Sequence, residues 1–453
     1  ISSSGTDFNG LRIGGLVDLQ AQLAPLDPQN PLGLGMFFAL LNAPGIEVFG
    51  VGVDEKSDTE PFGTADGWAR TFEYLESKDV YSIAGMTHSP EVADLAQVHV
   101  NAMSDPEVGL ERMYFHNPTM PTRVSDELVG SGSLGNATAA SSTFDTGIPN
   151  LPALIAGAGL GPGPYPADET DPTFIGLFLK MESDTANYLI TSVAGSVVTV
   201  NATAVAGDDE GFWHDDGAPA FAAAVVDRPF SVSIRGAVVS NRTEEATAYA
   251  DIPRGYKDRR MVFVAPDQAK ATIDGLEQII DGFYVSAALA GKTSSKAPQD
   301  PLTNVGITGF TGVVGSTDRY SELQMTILDG GGLWVVFQEA DGQPVITRHQ
   351  LTTDMSTIEK REFSILTAVD FTAKFVRGAL RNFIGRFNIT TAVKDSVNTV
   401  LDGIGKFLTE QGTLSNFQIN RLIQDESQPD RLILDVTIGV LYPLNEIKVT
   451  LII

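Results

Sequence analysis

The sequence of 453 residues predicts a mixed α/β protein: a parallel α/β body, an inserted all-β domain, and an α+β C-terminal domain ending in a strand. Three observations predict it. Between Gly35 and Phe115 short apolar strands alternate with helical stretches. Between Thr173 and Val239 strand patterns follow one another without helices, and from Asp370 two amphipathic helices precede three alternating segments.

In chain order, residues 1–32 carry Pro25, Pro28 and Pro31 and no sustained period, and read as an N-terminal arm or linker. The α/β body starts at 33–120, with helices at Met36–Leu41, Thr64–Glu76 and Ser89–Met103 and strands at Ile46–Val53, Val80–Gly85 and Glu111–Phe115. Alternation at this spacing argues for a parallel sheet covered on both faces. Residues 121–250 form the insertion. Up to about Pro166 it is rich in Gly, Ser, Ala, Thr and Pro, with Gly157–Gly163 as loop; strands follow at Thr173–Met181, Tyr188–Val193, Val197–Val205, Ala220–Val226 and Phe230–Val239. The body resumes over 251–345 with strand Arg260–Ala265, the helical stretch Asp274–Lys292, and strands Arg319–Leu328 and Leu333–Gln338; a hairpin-type turn at Ala340–Pro344 leads to Val345–Leu351.

The C-terminal domain, 346–453, has the strongest patterning. In Asp370–Phe387, Val376, Leu380, Phe383, Ile384 and Phe387 form an apolar stripe opposite Lys374, Arg377 and Arg381, with Arg386 just beyond. In Thr391–Gln411, Val393, Val397, Val400, Leu401, Ile404 and Leu408 keep the helical spacing, and Gly412 is placed to end the helix. Ser415–Ile423, Arg431–Leu441 and Glu446–Ile453 alternate at period two, with a turn expected at Tyr442–Asn445.

Composition narrows the function. No cysteine is present, which removes disulfides, thiolate metal sites and cysteine nucleophiles. No apolar run is long enough to cross a bilayer and no signal pattern opens the chain, so a soluble protein without direct membrane insertion is expected. The chain opens on Ile1 instead of Met, and a trimmed start with a missing arm is expected. The net charge of −27 is concentrated early: residues 1–258 carry 12 basic and 35 acidic side chains, residues 259–453 carry 18 and 22. So acidic a surface repels phosphate backbones, and no nucleic acid partner is expected.

The chemistry-bearing residues form no catalytic constellation. His88, His99, His116, His214 and His349 are scattered, with no HExxH pair. Asp208, Asp209, Glu210, His214, Asp215 and Asp216 are the best metal candidates, yet their spacing fits no EF-hand and an acidic turn between strands accounts for them better. Gly157–Gly163 neither follows a strand nor opens a helix, which argues against a phosphate loop, and no GxSxG elbow occurs. No catalytic residue, metal or cofactor is therefore expected. Two features at the C-terminus remain. The basic strip Lys374, Arg377, Arg381 and Arg386 is either a solvated helix face or a docking strip for an acidic protein. The last segment, Glu446, Ile447, Lys448, Val449, Thr450, Leu451, Ile452 and Ile453, either folds back on Arg431–Leu441 as a hairpin or completes the sheet of a second copy.

Glu362–Asn388 (EFSILTAVDFTAKFVRGALRNFIGRFN) and the ending TIGVLYPLNEIKVTLII resemble the C-terminal domain of contractile phage tail sheath proteins. The resemblance is strong over the C-terminal quarter and reaches the α/β body only in outline. It implies a subtilisin-like topology for the body, without Ser, His and Asp motifs to supply its chemistry. It also implies a structural subunit that polymerises by strand exchange into a helical stack of hexameric rings around a tail tube, and that contracts to drive the tube through the host envelope. The tube protein, met by the basic strip, the baseplate and the tail terminator would be its partners, the virion tail its location after assembly in the host cytoplasm. A phage-tail-like bacteriocin or related injection apparatus would share the fold. An α/β hydrolase with a β insertion and a surface-decorating binding module stay open as alternatives; size-exclusion chromatography with electron microscopy separates the three.

Overall fold

A computed structural model describes residues 10–53, 64–120, 127–137, 143–157, 175–181, 187–200, 225–236, 242–313 and 320–445. The chain divides into two compact units, Pro121–Ala248 and the remainder.

The larger unit opens with β1 (Leu11–Ile13), α1 (Leu16–Leu23), α2 (Pro31–Asn42), β2 (Val48–Gly50), α3 (Ala65–Glu76), β3 (Ser82–Ala84), α4 (Pro90–Met103) and β4 (Met113–His116). Two expectations need correcting here. Residues 10–32 are part of the body: Ile13, Leu19 and Leu23 are buried against Met36 and Leu40. Pro31, expected in a linker, is the first residue of α2, where a missing N–H costs nothing, and Asn30 caps that helix by accepting from Gly33 N at 3.1 Å. The strand around Ile46–Val53 stays outside the parallel sheet, because β2 pairs only with β1, antiparallel.

In the smaller unit, β5 (Glu127–Ala137), β6 (Thr143–Asp145), α5 (Leu151–Gly157), β7 (Ile175–Met181), β8 (Asn187–Ala194), β9 (Val197–Val200) and β10 (Val225–Gly236) appear in sequence. The six strands close a barrel in the order β10-β5-β6-β9-β8-β7 around Phe144, Leu177, Leu179, Ile190, Val198, Phe230 and Val232. The Gly- and Ser-rich stretch, in which no strand was named from the sequence, thus supplies β5. Gly135 is the reason it fits: a Cβ there would fall 2.1 Å from the Phe144 ring and 2.7 Å from that of Phe230. What reads as separate strands at 220–226 and 230–239 contains one described strand, β10, with residues 220–224 and 237–239 outside the described residues.

Helix α6 (Arg242–Tyr256) crosses the boundary at Ala248, and the rest of the larger unit comprises β11 (Met261–Ala265), β12 (Gln268–Ile273), β13 (Leu276–Asp281), α7 (Phe283–Ser294), β14 (Phe310–Val313), α8 (Glu322–Gly331), β15 (Leu333–Phe337), β16 (Ile346–Thr347), α9 (Ile358–Arg361), α10 (Phe363–Leu380), α11 (Thr391–Glu410), β17 (Asn416–Gln424) and β18 (Leu432–Gly439). The central sheet runs β16-β15-β11-β4-β3, parallel except at β16. Alternate residues of β4 face opposite layers: Met113 and Phe115 join α2 and α7 in the main core, while Tyr114 meets Phe72 of α3. The first part of Asp274–Lys292, expected as helical throughout, is instead β13, which joins β12 and β14 in a second small sheet of order β13-β12-β14. The turn Asp274–Gly275, with φ of 51° and 79°, folds β12 onto β13, and only then does α7 begin. Arg319–Leu328, expected as a strand, is largely α8, because Ser321 and Gln324 form a reciprocal capping box.

Candidate assembly surface

Of the residues singled out in the sequence, Lys374 and Arg377 lie on α10 and Arg381 and Arg386 just beyond its end, next in the chain to α11 and the β17–β18 hairpin. Helix α10 starts inside the body: Phe363 and Leu366 belong to the main core, and Glu362 at its N-cap is fully buried. Two turns further on, Asp370 holds the helix in register. The Arg260 guanidinium grips it with both nitrogens, Nη2 donating to Oδ1 at 2.9 Å and Nη1 to Oδ2, while the Tyr81 hydroxyl donates to Oδ2 at 2.8 Å. A buried carboxylate is tolerable only with partners of this kind. Burial and the neighbouring Asp370 charge push the Tyr81 hydroxyl well above its ordinary pKa, so it stays a donor. Burial opposes the Arg260 charge, but the Asp370 hydrogen bond and charge outweigh it and hold the guanidinium more firmly protonated than usual.

The four basic residues separate into two pairs. Arg377 binds the buried Glu111 carboxylate and the Gly109 carbonyl at 3.3 Å, and Lys374 lies 3.7 Å from Asp79 and over the Tyr81 ring. Both therefore face the body of their own chain. Arg381 and Arg386 are exposed, and neither forms an ion pair with a described residue. The helix expected to reach Phe387 ends at Leu380: bonding tightens to three-residue turns over Arg381–Arg386, and Gly385 adopts φ 72°. Sequence periodicity did not reveal an exposed aromatic ladder beside this end. Phe371 and Phe375 stack at 5.9 Å, Phe375 and Phe407 at 5.7 Å, and Ile384 and Phe387 are exposed nearby in the chain.

Helix α11 follows the expected pattern closely. Thr390 caps it by accepting from Val393 N at 3.3 Å. At its other end Thr413 N bonds Leu408 O and Gly412 N bonds Thr409 O, with Gly412 at φ 70°. Its stripe of Val397, Leu401, Ile404 and Leu408 packs under Phe417, Ile419, Leu422, Leu434 and Ile438 of the hairpin. Gly405 allows the approach, since a Cβ there would sit 2.6 Å from the Phe417 ring. Strands β17 and β18 pair antiparallel with each other and with no other described strand, so both outer edges are open among the described residues. The final segment, Glu446–Ile453, lies outside the described residues. The stretch expected as a turn, Tyr442–Asn445, contains no turn and reaches the body instead. There the Tyr442 hydroxyl donates to Glu359 Oε1 at 2.8 Å, and Asn445 meets Thr303, His349 and Glu362.

His88, His99 and His116 serve packing within the body. His99 stands 2.7 Å from Arg112 Nη1, and burial with that charge pushes it down to about 4. His116 is pushed down to about 3 by burial and by His88. His88 bonds the Asn117 carbonyl at 2.8 Å and lies 3.5 Å from Asp281. Among the described residues no three His, Asp or Glu side chains converge as a metal would require. Asp208, Asp209, Glu210, His214, Asp215, Asp216 and residues 158–163 fall outside them. No described helix is long and apolar enough to cross a membrane.

No family model matches the chain. Over 197 residues, 43% of its length, the chain is 26% identical to the tail sheath protein of Mycobacterium phage Bxz1, and it spans a third of that relative (33%). Its fold aligns with the contracted helical sheath of the anti-feeding prophage at a TM-score of 0.54, covering 98% of this chain and 88% of that one at 11% identity. A baseplate structure of the same prophage in the contracted state aligns at 0.47 over 99% and 90%, at 10% identity. The chain is thus similar in sequence, over part of its length, to a tail sheath protein, and it shares its fold with a contracted sheath.

Proposed function

We propose that the chain is a structural subunit of a contractile sheath, polymerising head-to-tail around a tail tube and shortening to drive that tube through a cell envelope. The carrying observation is the C-terminal hairpin, a sheet that has two strands and open edges among the described residues and one face already packed on α11. A two-stranded sheet is marginal alone and gains from each added strand. Glu446–Ile453 carries Ile447, Val449, Leu451 and Ile453 on one face and is suited to be that strand in a neighbouring copy. Each hydrogen bond contributes about 0.5–1.5 kcal/mol and each buried large aliphatic about 1.5–3 kcal/mol. Head-to-tail donation from copy to copy is heterologous and yields rings or open helices, whereas a reciprocal exchange would close a dimer. The bodies then re-pack while the strand junctions persist, which lets the lattice change length without dissociating.

Within this reading the basic strip narrows. Lys374 and Arg377 bind their own body, which leaves Arg381 and Arg386, beside the exposed Ile384 and Phe387, as the residues facing the tube. The baseplate and tail terminator are further partners, the virion tail is the location, and the body has a subtilisin-like topology that serves scaffolding and not catalysis. Deleting Glu446–Ile453 tests the reading. The truncated chain is expected to remain a folded monomer with an unchanged far-UV spectrum, whereas the intact chain gives tubes in negative-stain microscopy. Tubes from the truncated chain, or a monomeric intact chain at high concentration, would sink it.

A further inference from the structure

We infer that Thr303, His349, Glu362 and Asn445 form a clamp on the root of the terminal strand, with Asn445 as the positioning residue that aims the eight residues after it at a neighbouring copy. The inference rests on the strand-donation reading above. Its four members come from four separate parts of the chain. Thr303 precedes β14, His349 follows β16, Glu362 caps α10, and Asn445 lies six residues beyond the end of β18.

Glu362 is the centre. Its side chain is fully buried at the N-terminus of α10, where the helix dipole favours an anion, and it makes no capping hydrogen bond to the helix itself. A buried carboxylate must find its donors elsewhere. His349 Nε2 lies 2.8 Å from Oε1, and Asn445 Nδ2 donates to Oε2 at 3.1 Å while standing 3.0 Å from His349 Nε2. On its other side Asn445 Oδ1 accepts from the Thr303 hydroxyl at 2.8 Å. The carboxamide is thus read at both ends, oxygen by a hydroxyl and nitrogen by a carboxylate. A leucine or alanine leaves the buried Glu362 oxygen unpartnered, and an aspartate sets a second carboxylate against it. A second tether, Tyr442 to Glu359, is fully exposed and adds direction with little strength.

The consequence concerns order. Leu441 and Leu444 are exposed, and neither is buried enough to fix the path. With the clamp closed, the arm leaves from a fixed point on the body, and less conformational freedom is lost when a neighbour captures it. With the clamp open, the same strand binds the same edge from a wider ensemble, so assembly requires more protein.

Asn445→Asp, Asn445→Ala and Thr303→Val in the full chain test this. Critical concentration is measured by pelleting, and chymotrypsin cleavage at Leu441–Leu444 is followed in the monomer. Asn445→Asp is expected to raise both about tenfold, Asn445→Ala about fivefold and Thr303→Val about twofold, with the thermal midpoint of the monomer unchanged. Adding Glu362→Gln to Asn445→Asp restores one carboxylate and one carboxamide, and is expected to return both readouts to within about twofold of the parent. Cleavage and critical concentration unchanged in Asn445→Asp overturn the clamp, as does failure of the exchanged pair to rescue. Should Asn445→Asp not fold, an unchanged Thr303→Val overturns it equally. A parent chain that forms no tubes rejects strand donation instead, and the cleavage rates still decide the clamp.

Discussion

Helix α10 and the β17–β18 hairpin are joined through α11, yet they meet their surroundings in opposite ways. Helix α10 spends polar groups inside its own chain: Asp370 on Arg260 and Tyr81, Arg377 on Glu111. The hairpin buries one face on α11 and leaves its outer backbone edges unpaired among the described residues. A helix satisfies its own backbone, so its side chains are free to lock it to a body. A two-stranded sheet does not, and so it keeps a capacity to bind. Rigidity and association are thereby assigned to neighbouring elements of one polypeptide.

The comparison breaks most visibly at Asp370. Asp370→Asn leaves the buried Arg260 without its counter-charge and is expected to cost about 3–5 kcal/mol, read as the urea midpoint by far-UV circular dichroism. A loss below about 1 kcal/mol would show that α10 is held by apolar packing alone. Acid tests the same body more mildly. His99 and His116 are kept neutral in the fold, at about 4 and about 3, against about 6.5 in an unfolded chain. Below pH 6.5 the unfolded chain takes up protons that the folded one refuses. Stability is therefore complete above pH 6.5 and falls by about 2 kcal/mol per histidine towards pH 5, levelling off below the folded values. No histidine follows His349, so hydrogen exchange at pH 5 is expected to quicken in β4 and α4 before α11 and the hairpin. The smallest effect belongs to the hairpin surface. Arg421 Nε donates to Asp435 Oδ2 at 2.6 Å, but both side chains are about half exposed. Arg421→Ala is expected to cost under about 1 kcal/mol and to lose even that in 1 M salt, a difference that paired denaturant titrations resolve.

The contrast also explains what the sequence discloses. Helix α11 was legible almost to the residue, because its stripe, its cap Thr390 and its stop Gly412 are all local. The Asp274–Gly275 hairpin and the Ser321–Gln324 capping box were equally local, and were hidden only by apolar neighbours that suit helix and strand alike. The lock on α10 could not be read. Asp370 meets Arg260 across 110 residues and Arg377 meets Glu111 across 266, and no periodicity announces a partner at that distance. A basic strip on a helical wheel shows where charges point relative to one another, and is silent on whether an acidic residue of the same chain already waits there. The clamp at Asn445 was hidden for the same reason, with only the polar Asn445 in an apolar ending as a trace.

The insertion illustrates a different economy. Its six strands form a closed ring of hydrogen bonds, with β10 joined to both β5 and β7. A ring of this kind has no free rim on which foreign chain can template, so residues 121–248 can be enlarged, redecorated or exchanged for another module without seeding stray fibres. Change in the insertion is in this way kept separate from the strand pairing of the C-terminal hairpin.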